Sequence, residues 1–446
     1  MNTIAELAQA LAEGRTTSQA LVDQALKRID AHRAAGGVAY ISVDADNARQ
    51  AARASDLARV SGYVPSPLAG LPVSIKDLFD VSGQVTASGS SLLADAPPAT
   101  GDALVVARLR AAGAILLGRT NMSEFAFSGL GLNPHYGTPL TPCAVGRIAG
   151  GSSSGAAVSV ALGMAVAGLG TDTGGSIRIP AAFCNLTGFK PSANRVPMSG
   201  TFPLAVSLDS VGALTRSVAD CILLDGVLSG EQLDTRAASL AGLRLAVTRD
   251  FVLDQIDADV AAAFERTLDL LAKAGACIRW FDFPELHELP RINATGGLTA
   301  AEAWQGHRQW LEGDNSHRYD GRVAQRIRRG ASISAADYLD IQHARHRLIG
   351  VAHERLGDAD AWLLPSVATV PPKLADLADD AAFFATNGLV LRNTSVLNFL
   401  DGCALSLPCQ RGDELPVGLS IAGLNGQDAR VLQVSRAIET LLQENT

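Results

Sequence analysis

The sequence predicts an α/β protein: one large domain with a central mixed β-sheet covered by helices on both faces. Three observations predict it. Short apolar runs alternate with amphipathic stretches, as crossover units require. The 446 residues carry only 18% charged side chains, below the roughly 25% of an average soluble domain, which suits a thick body with little surface per residue. No repeat, low-complexity tract or Pro-rich linker divides the chain, so one continuous core over residues 1–446 replaces the three domains that length alone suggests.

The elements follow in order. Residues 1–62 read as a helical N-terminal layer. Ile4, Leu7 and Leu11 share one helix face. Thr17 or Ser18 caps a second helix carrying Leu21, Val22, Ala25, Leu26 and Ile29, and Asp44 to Val60 forms a third. This apolar-faced layer makes a homodimer an expectation. Residues 63–235 hold the densest motifs, with strands at Val73–Lys76, Ala114–Leu117 and Val166–Leu169 and a helix at Asp102–Ala112. Further strands are expected at Leu243–Thr248, Cys277–Phe281, Ala361–Leu364, Cys403–Leu407 and Val417–Ala422, with helix Asp257–Ala274 between the first two. Residues 285–357 read as an inserted helical cap, the kind of element that shapes a substrate entrance. Residues 358–446 complete the sheet.

Composition excludes several classes. Hydrophobic residues make up 47% of the chain, which rules out disorder. The net charge of −8 argues against a nucleic-acid partner. The most apolar stretch, Ala156 to Leu169, is too short to span a bilayer and reads as a buried helix running into a strand. The N-terminus lacks a basic segment followed by an apolar one, so no signal peptide is read and the expected location is the cytoplasm. The six cysteines show no CxxC or finger spacing, and free, mostly buried thiols are expected. The glycosylation pattern at Asn393 then carries no meaning.

Candidate chemistry concentrates between Gly150 and Pro180, GGSSSGAAVSVALGMAVAGLGTDTGGSIRIP. Two Gly/Ser turns bracket one apolar segment. Consecutive glycines let backbone N–H groups converge on one point, and Ser176 closes the second turn where a nucleophile would stand. On glycine content alone, a pair of ordinary tight turns explains the pattern equally well. A serine nucleophile needs a base. Histidines 287, 307, 317, 343, 346 and 353 fall in helical stretches, and His343 and His346 lie beside Arg345 and Arg347, which reads as a solvated face rather than a metal site. His32 and His135 complete no triad. The alternative is Lys76, at the end of the apolar run Leu71-Pro72-Val73-Ser74-Ile75. Burial would lower its pKa and make a proton-accepting amine, and Ser–Lys pairs are an accepted catalytic arrangement. As a lone lysine it reads equally as a snorkelling strand end.

These motifs together resemble the amidase signature family. The matching segments are LAGLPVSIKD ending at Lys76-Asp77, GRTNMSEFAFSG (118–129), GGSSSG (150–155), GTDTGGSIRIPAAFC (170–184), GFKPS (188–192), SLDSVGALTRSVAD (207–220) and, more faintly, LPVGLSIAG (415–423). The resemblance implies an amidase signature fold and hydrolysis of a small carboxamide to acid plus ammonia or amine. It implies Ser176 as the acylated nucleophile, Ser152 as bridging serine after a cis Gly151–Ser152 peptide, and Lys76 as base. Backbone N–H groups of Thr173, Gly174, Gly175 and Ser176 would form the oxyanion hole, and no cofactor or metal is implied. Phe127 and Ser128 are implied to line the acyl pocket, although ordinary core packing explains Phe127 as well. Departures from the family pattern, Ser154 for Gly and Ala156 for Ser, fall outside the triad.

Rival readings are weaker. Gly151-Ser152-Ser153-Ser154-Gly155 fits the G-x-S-x-G elbow of α/β hydrolases, but residues 141–149 are no hydrophobic strand. Gly168-Leu169-Gly170 lacks the third glycine of a dinucleotide loop, and no phosphate-binding P-loop pattern occurs. Within the family, the alternative is the glutaminase subunit of a tRNA-dependent amidotransferase. Such members tend to hold the substrate amino group with an acid at a position occupied here by Leu391 or Arg392. Arg392 would instead hold an anionic or carbonyl-bearing substrate. A catalytically silent amidase-like subunit is the alternative of another class, opposed by the intact Lys76, Ser152 and Ser176.

Overall fold

The computed structural model describes residues 2–445. Helix α1 (Ile4–Ala12) begins at Thr3, whose hydroxyl accepts from the Glu6 amide while the Glu6 carboxylate accepts from the Thr3 amide, a reciprocal cap. Helix α2 (Ser18–Ala34) is capped by Thr17. Strand β1 (Tyr40–Val43) and helix α3 (Ala45–Val60) complete this layer. Ile4, Leu7, Leu11 and Leu21 pack with Leu68, Val105 and Leu224, and Val22, Ala25, Leu26 and Ile29 pack with Ile115 and Ala156. The apolar face that suggested a homodimer is therefore used inside the chain.

The chain then runs through β2 (Pro72–Lys76), α4 (Leu104–Ala111), β3 (Ile115–Thr120), α5 (Ser154–Ala161), β4 (Ala167–Thr171) and α6 (Arg178–Phe183). It continues through β5 (Thr187–Lys190), β6 (Val211–Thr215), α7 (Val218–Ser229), β7 (Arg244–Val247), α8 (Ala258–Lys273) and β8 (Cys277–Trp280). The stretch 285–357 is helical, with α9 (Leu289–Ile292), α10 (Gly297–Glu312), α11 (Gly321–Arg328) and α12 (Ala335–Leu356). Strand β9 (Ala361–Pro365), helix α13 (Asp380–Phe399), β10 (Cys403–Pro408), β11 (Gly418–Gly423) and α14 (Asp428–Glu444) follow.

All strands join one eleven-stranded sheet in the order β1-β3-β2-β4-β6-β5-β10-β11-β9-β7-β8. It is mixed: β2 runs parallel to β3 and β4, whereas β4 pairs antiparallel with β6. Every strand expected from sequence is present within three residues at each end, and β1, β5 and β6 are additional. β5 and β6 lack an apolar run because glycine takes core positions. A Cβ on Gly188 would stand 2.7 Å from Ala181 Cβ, and one on Gly212 would stand 2.1 Å from the Phe189 carbonyl oxygen. Close backbone approach decides these residues, and periodicity cannot register it.

One reading changes in α12. His343 and His346 are exposed, but Arg345 is buried. Its guanidinium donates to the carbonyls of Phe399 and Ser207 and to the Asp401 carboxylate, tying α12 to the end of α13. The cysteines are unpaired; Cys184, Cys221, Cys403 and Cys409 are buried, whereas Cys143 and Cys277 are exposed. Among the described residues no helix is long and apolar enough to cross a membrane.

Candidate active site

The parallel pairing of β2 and β4 brings Lys76 and Thr171 side by side at the ends of their strands. Lys76 has no solvent exposure. Its Nζ lies 2.7 Å from Ser152 Oγ and 2.8 Å from Thr171 Oγ1. Burial pushes the amine down to about 7, against the pull of the Asp209 and Asp172 carboxylates.

Ser152 sits in the Gly/Ser turn before α5, after a cis Gly151–Ser152 peptide. Glycines are obligatory around it. A Cβ on Gly151 would stand 2.6 Å from the Gly131 nitrogen, and one on Gly155 would stand 2.2 Å from the Ala39 carbonyl oxygen. The Ser153 amide donates to the Ser176 carbonyl at 3.2 Å, joining this turn to the second one.

The second turn, Thr173 to Ser176, is held from below. The Asp172 carboxylate accepts from the amides of Ile177 and Arg178 and from the Arg178 guanidinium at 2.9 and 3.0 Å, with both side chains fully buried. Burial works against the charged carboxyl, but Arg178 outweighs it and holds Asp172 at about 2. Arg178 also donates to the Thr394 carbonyl and to Asn398 Oδ1, and Thr394 Oγ1 donates to the Gly174 carbonyl, so α13 braces the turn. Gly175 adopts φ +134°, and a Cβ there would meet Thr394 Oγ1 at 2.1 Å. The Ser176 hydroxyl is left without a protein hydrogen bond among the described residues.

The segment 124–129 borders the first turn, with the Gly151 amide donating to the Gly129 carbonyl at 2.8 Å. Phe127 is buried, its ring 4.3 Å beneath the Arg326 guanidinium, which also donates to the Phe127 carbonyl. Ser128 Oγ donates to Asn387 Oδ1 and accepts from the Leu130 amide. Both side chains are thus committed to shaping the segment.

Arg392 is not brought to this site. Its guanidinium donates to the carbonyls of Val252 and Asp254 and to Asn393 Oδ1. Leu391, Thr394 and Ser395 share the α13 face turned to Gly174, and Arg392, about 100° around the helix, faces the 252–254 loop. No histidine joins Ser176 among the described residues; His135 bonds Glu124 and His307 bonds Tyr319. Sequence reasoning did not find Arg326, Asp209, Asn387 or Asn398. Only Asp209 left a signal, as an acid inside the apolar-flanked SLDSVG motif.

A family model described as Amidase matches residues 20–432. The chain belongs to the amidase signature family. It is an amidase, a hydrolase acting on carbon–nitrogen amide bonds. The 2-amino-5-chloromuconic acid deaminase of Comamonas testosteroni is 36% identical over 450 residues, covering 99% of this chain and 96% of that protein. A glutamyl-tRNA(Gln) amidotransferase subunit from Acidobacterium capsulatum is 33% identical, covering 97% and 98%. Among solved structures, an amidase crystal structure superposes with a TM-score of 0.89 at 34% identity, covering 98% of this amidase and 99% of the other.

Proposed function

We propose that this amidase works through an acyl-enzyme on Ser176, with Ser152 and Lys76 as a proton relay. The observation that carries the reading is a dry lysine amine 2.7 Å from Ser152 Oγ. A neutral Lys76 takes the Ser152 proton as Ser152 takes that of Ser176, and Ser176 Oγ adds to the amide carbonyl. Amides of Thr173 through Ser176 receive the oxyanion. The C–N bond breaks as the proton returns through Ser152 to the leaving nitrogen. Water then cleaves the ester, so that R–CO–NH2 and H2O become R–COOH and NH3. Residues of this chain supply every proton transfer, and no step is assigned to a metal or cofactor.

The substrate class we infer is a small carboxamide that also bears a carboxylate. Arg326 supports it in place of Arg392: among the described residues no acid pairs with its guanidinium, which stands over the segment ending at Gly129. Residues 127 and 129 are at most about 7 Å apart along the chain. The similarity to a deaminase of an aminomuconic acid points the same way. Leu391 offers no charge for a substrate ammonium near Gly174, which weighs against the glutaminase-subunit reading. Six unpaired cysteines support a reducing compartment such as the cytoplasm.

A fluorophosphonate probe tests the acyl-enzyme. Labelling of Ser176 that disappears in Ser176→Ala supports it, and labelling at another serine overturns it. Ammonia release across neutral, carboxylated and amino-acid amides, glutamine included, tests the substrate class. Preference for neutral amides would overturn it, and preference for glutamine over carboxylated amides that lack an ammonium would favour the glutaminase-subunit reading instead.

A further inference from the structure

One buried carboxylate near the relay has no part in it. Asp209 is 8% exposed and pairs with no arginine or lysine among the described residues. One of its oxygens accepts from the Thr173 hydroxyl, and the other accepts from the amides of Leu204 and Ala205 at 2.9 and 3.1 Å. Thr173 opens the glycine turn that ends at Ser176, and Thr171, two residues earlier, is the second neighbour of the Lys76 amine. The two threonines are at most about 7 Å apart along the chain. Lys76 and Asp209 therefore hold two threonines of one segment that flank Asp172, in an interior that screens charge poorly.

We propose that Asp209 is a positioning residue that anchors the Ser176 turn through Thr173 and, by its charge, sets the proton affinity of Lys76. This rests on Lys76 being the base. The charged groups around Asp209 are Lys76 on β2, Asp172 with Arg178 beyond β4, Glu302 on α10 and Arg345 on α12. Glu302 accepts from the amide and hydroxyl of Ser207, and Arg345 donates to the Ser207 carbonyl. Asp172 is neutralised by Arg178, which leaves Asp209 as the nearby carboxylate without a counter-ion. Burial pushes Asp209 up to about 6, so it is anionic where Lys76 loses its proton.

The test compares Asp209→Asn and Thr173→Val with the natural enzyme, following kcat/KM and the rate of fluorophosphonate labelling from pH 5 to 9, with melting temperatures to establish folding. Loss of the negative charge disfavours the Lys76 ammonium, so the acid limb of Asp209→Asn moves about one pH unit lower. Asparagine presents one acceptor where three donors converge, so its plateau kcat also falls about 10-fold or more. Thr173→Val loses kcat and keeps the natural limb. A folded Asp209→Asn enzyme whose limb coincides with the natural one overturns the proposal, provided Lys76→Ala is inactive. An active Lys76→Ala enzyme overturns the base assignment instead, so the two failures are distinguishable.

Discussion

Lys76 Nζ stands 2.7 Å from Ser152 Oγ, and no solvent reaches the lysine side chain. A charged amine there would be desolvated with two hydroxyls for company; a neutral one can accept the serine proton. The arrangement makes acid–base behaviour the first property to measure.

Burial holds Lys76 at about 7, so the amine is neutral above that pH and protonated below it. With Lys76 as the proposed base, amide hydrolysis should be half-maximal near pH 7 and fall about tenfold per unit below, because only the neutral form accepts a proton. A profile of kcat/KM against pH checks this. A flat profile from pH 5 to 9, or near-native turnover in Lys76→Ala, contradicts it.

In the proposed relay Ser152 carries the proton between two groups and is not acylated. Ser152→Ala is expected to lower kcat by about 10²- to 10⁴-fold, the usual worth of a positioned proton-transfer group, and to leave the melting temperature almost unchanged. Single-turnover kinetics with an ester and an amide substrate measure the loss. Unchanged amide turnover would remove Ser152 from the relay.

Arg326 is expected to anchor a substrate carboxylate. Arg326→Met should raise KM for carboxylated amides about 10- to 100-fold, consistent with the roughly 1.5–3 kcal/mol of a hydrogen bond to a charged group. Neutral amides should be turned over as before. Equal effects on both substrate types would show that Arg326 only props the Phe127 segment.

The Asp172–Arg178 pair carries a structural prediction. Asp172→Asn leaves a fully buried guanidinium without its counter-charge, and urea denaturation should show a loss of about 3–5 kcal/mol. The folded-state pKa of Asp172 lies below its ordinary 3.8, so its stabilisation is complete above that value and lost as pH falls toward about 2. The variant should accordingly lack this part of the acid transition.

The fold was legible wherever one element speaks through its own periodicity. β2, β3 and β4 read directly as apolar runs, and the capped faces of α1 and α2 read as helical stripes. The pairing of Lys76 with Ser152 was legible only through the family resemblance of several motifs together, because 76 residues separate the two and no local rule links them. Arg392 was misplaced since a helical position one residue from the correct face is indistinguishable without the helix register. Arg326 went unread because α11 holds several arginines, and only packing reveals which of them stands over Phe127.

The helical stretch between β8 and β9 has five polar ties of note to the catalytic segments: Arg326 to Phe127, the Asp320 amide to Glu124, Arg318 to Ser91, Ser207 to Glu302 and Arg345 to Ser207. Beyond these ties it shares an apolar core with them, in which Tyr319, Val323 and Ile327 join Phe125 and Phe127, while the proposed bond-breaking residues and the proposed substrate anchor Arg326 still occupy separate stretches of chain. Exchange of residues 285–333 between related enzymes is then a route to altered amide preference in which the machinery from Lys76 to Arg178 travels unaltered, much as a tool head is changed on a common handle.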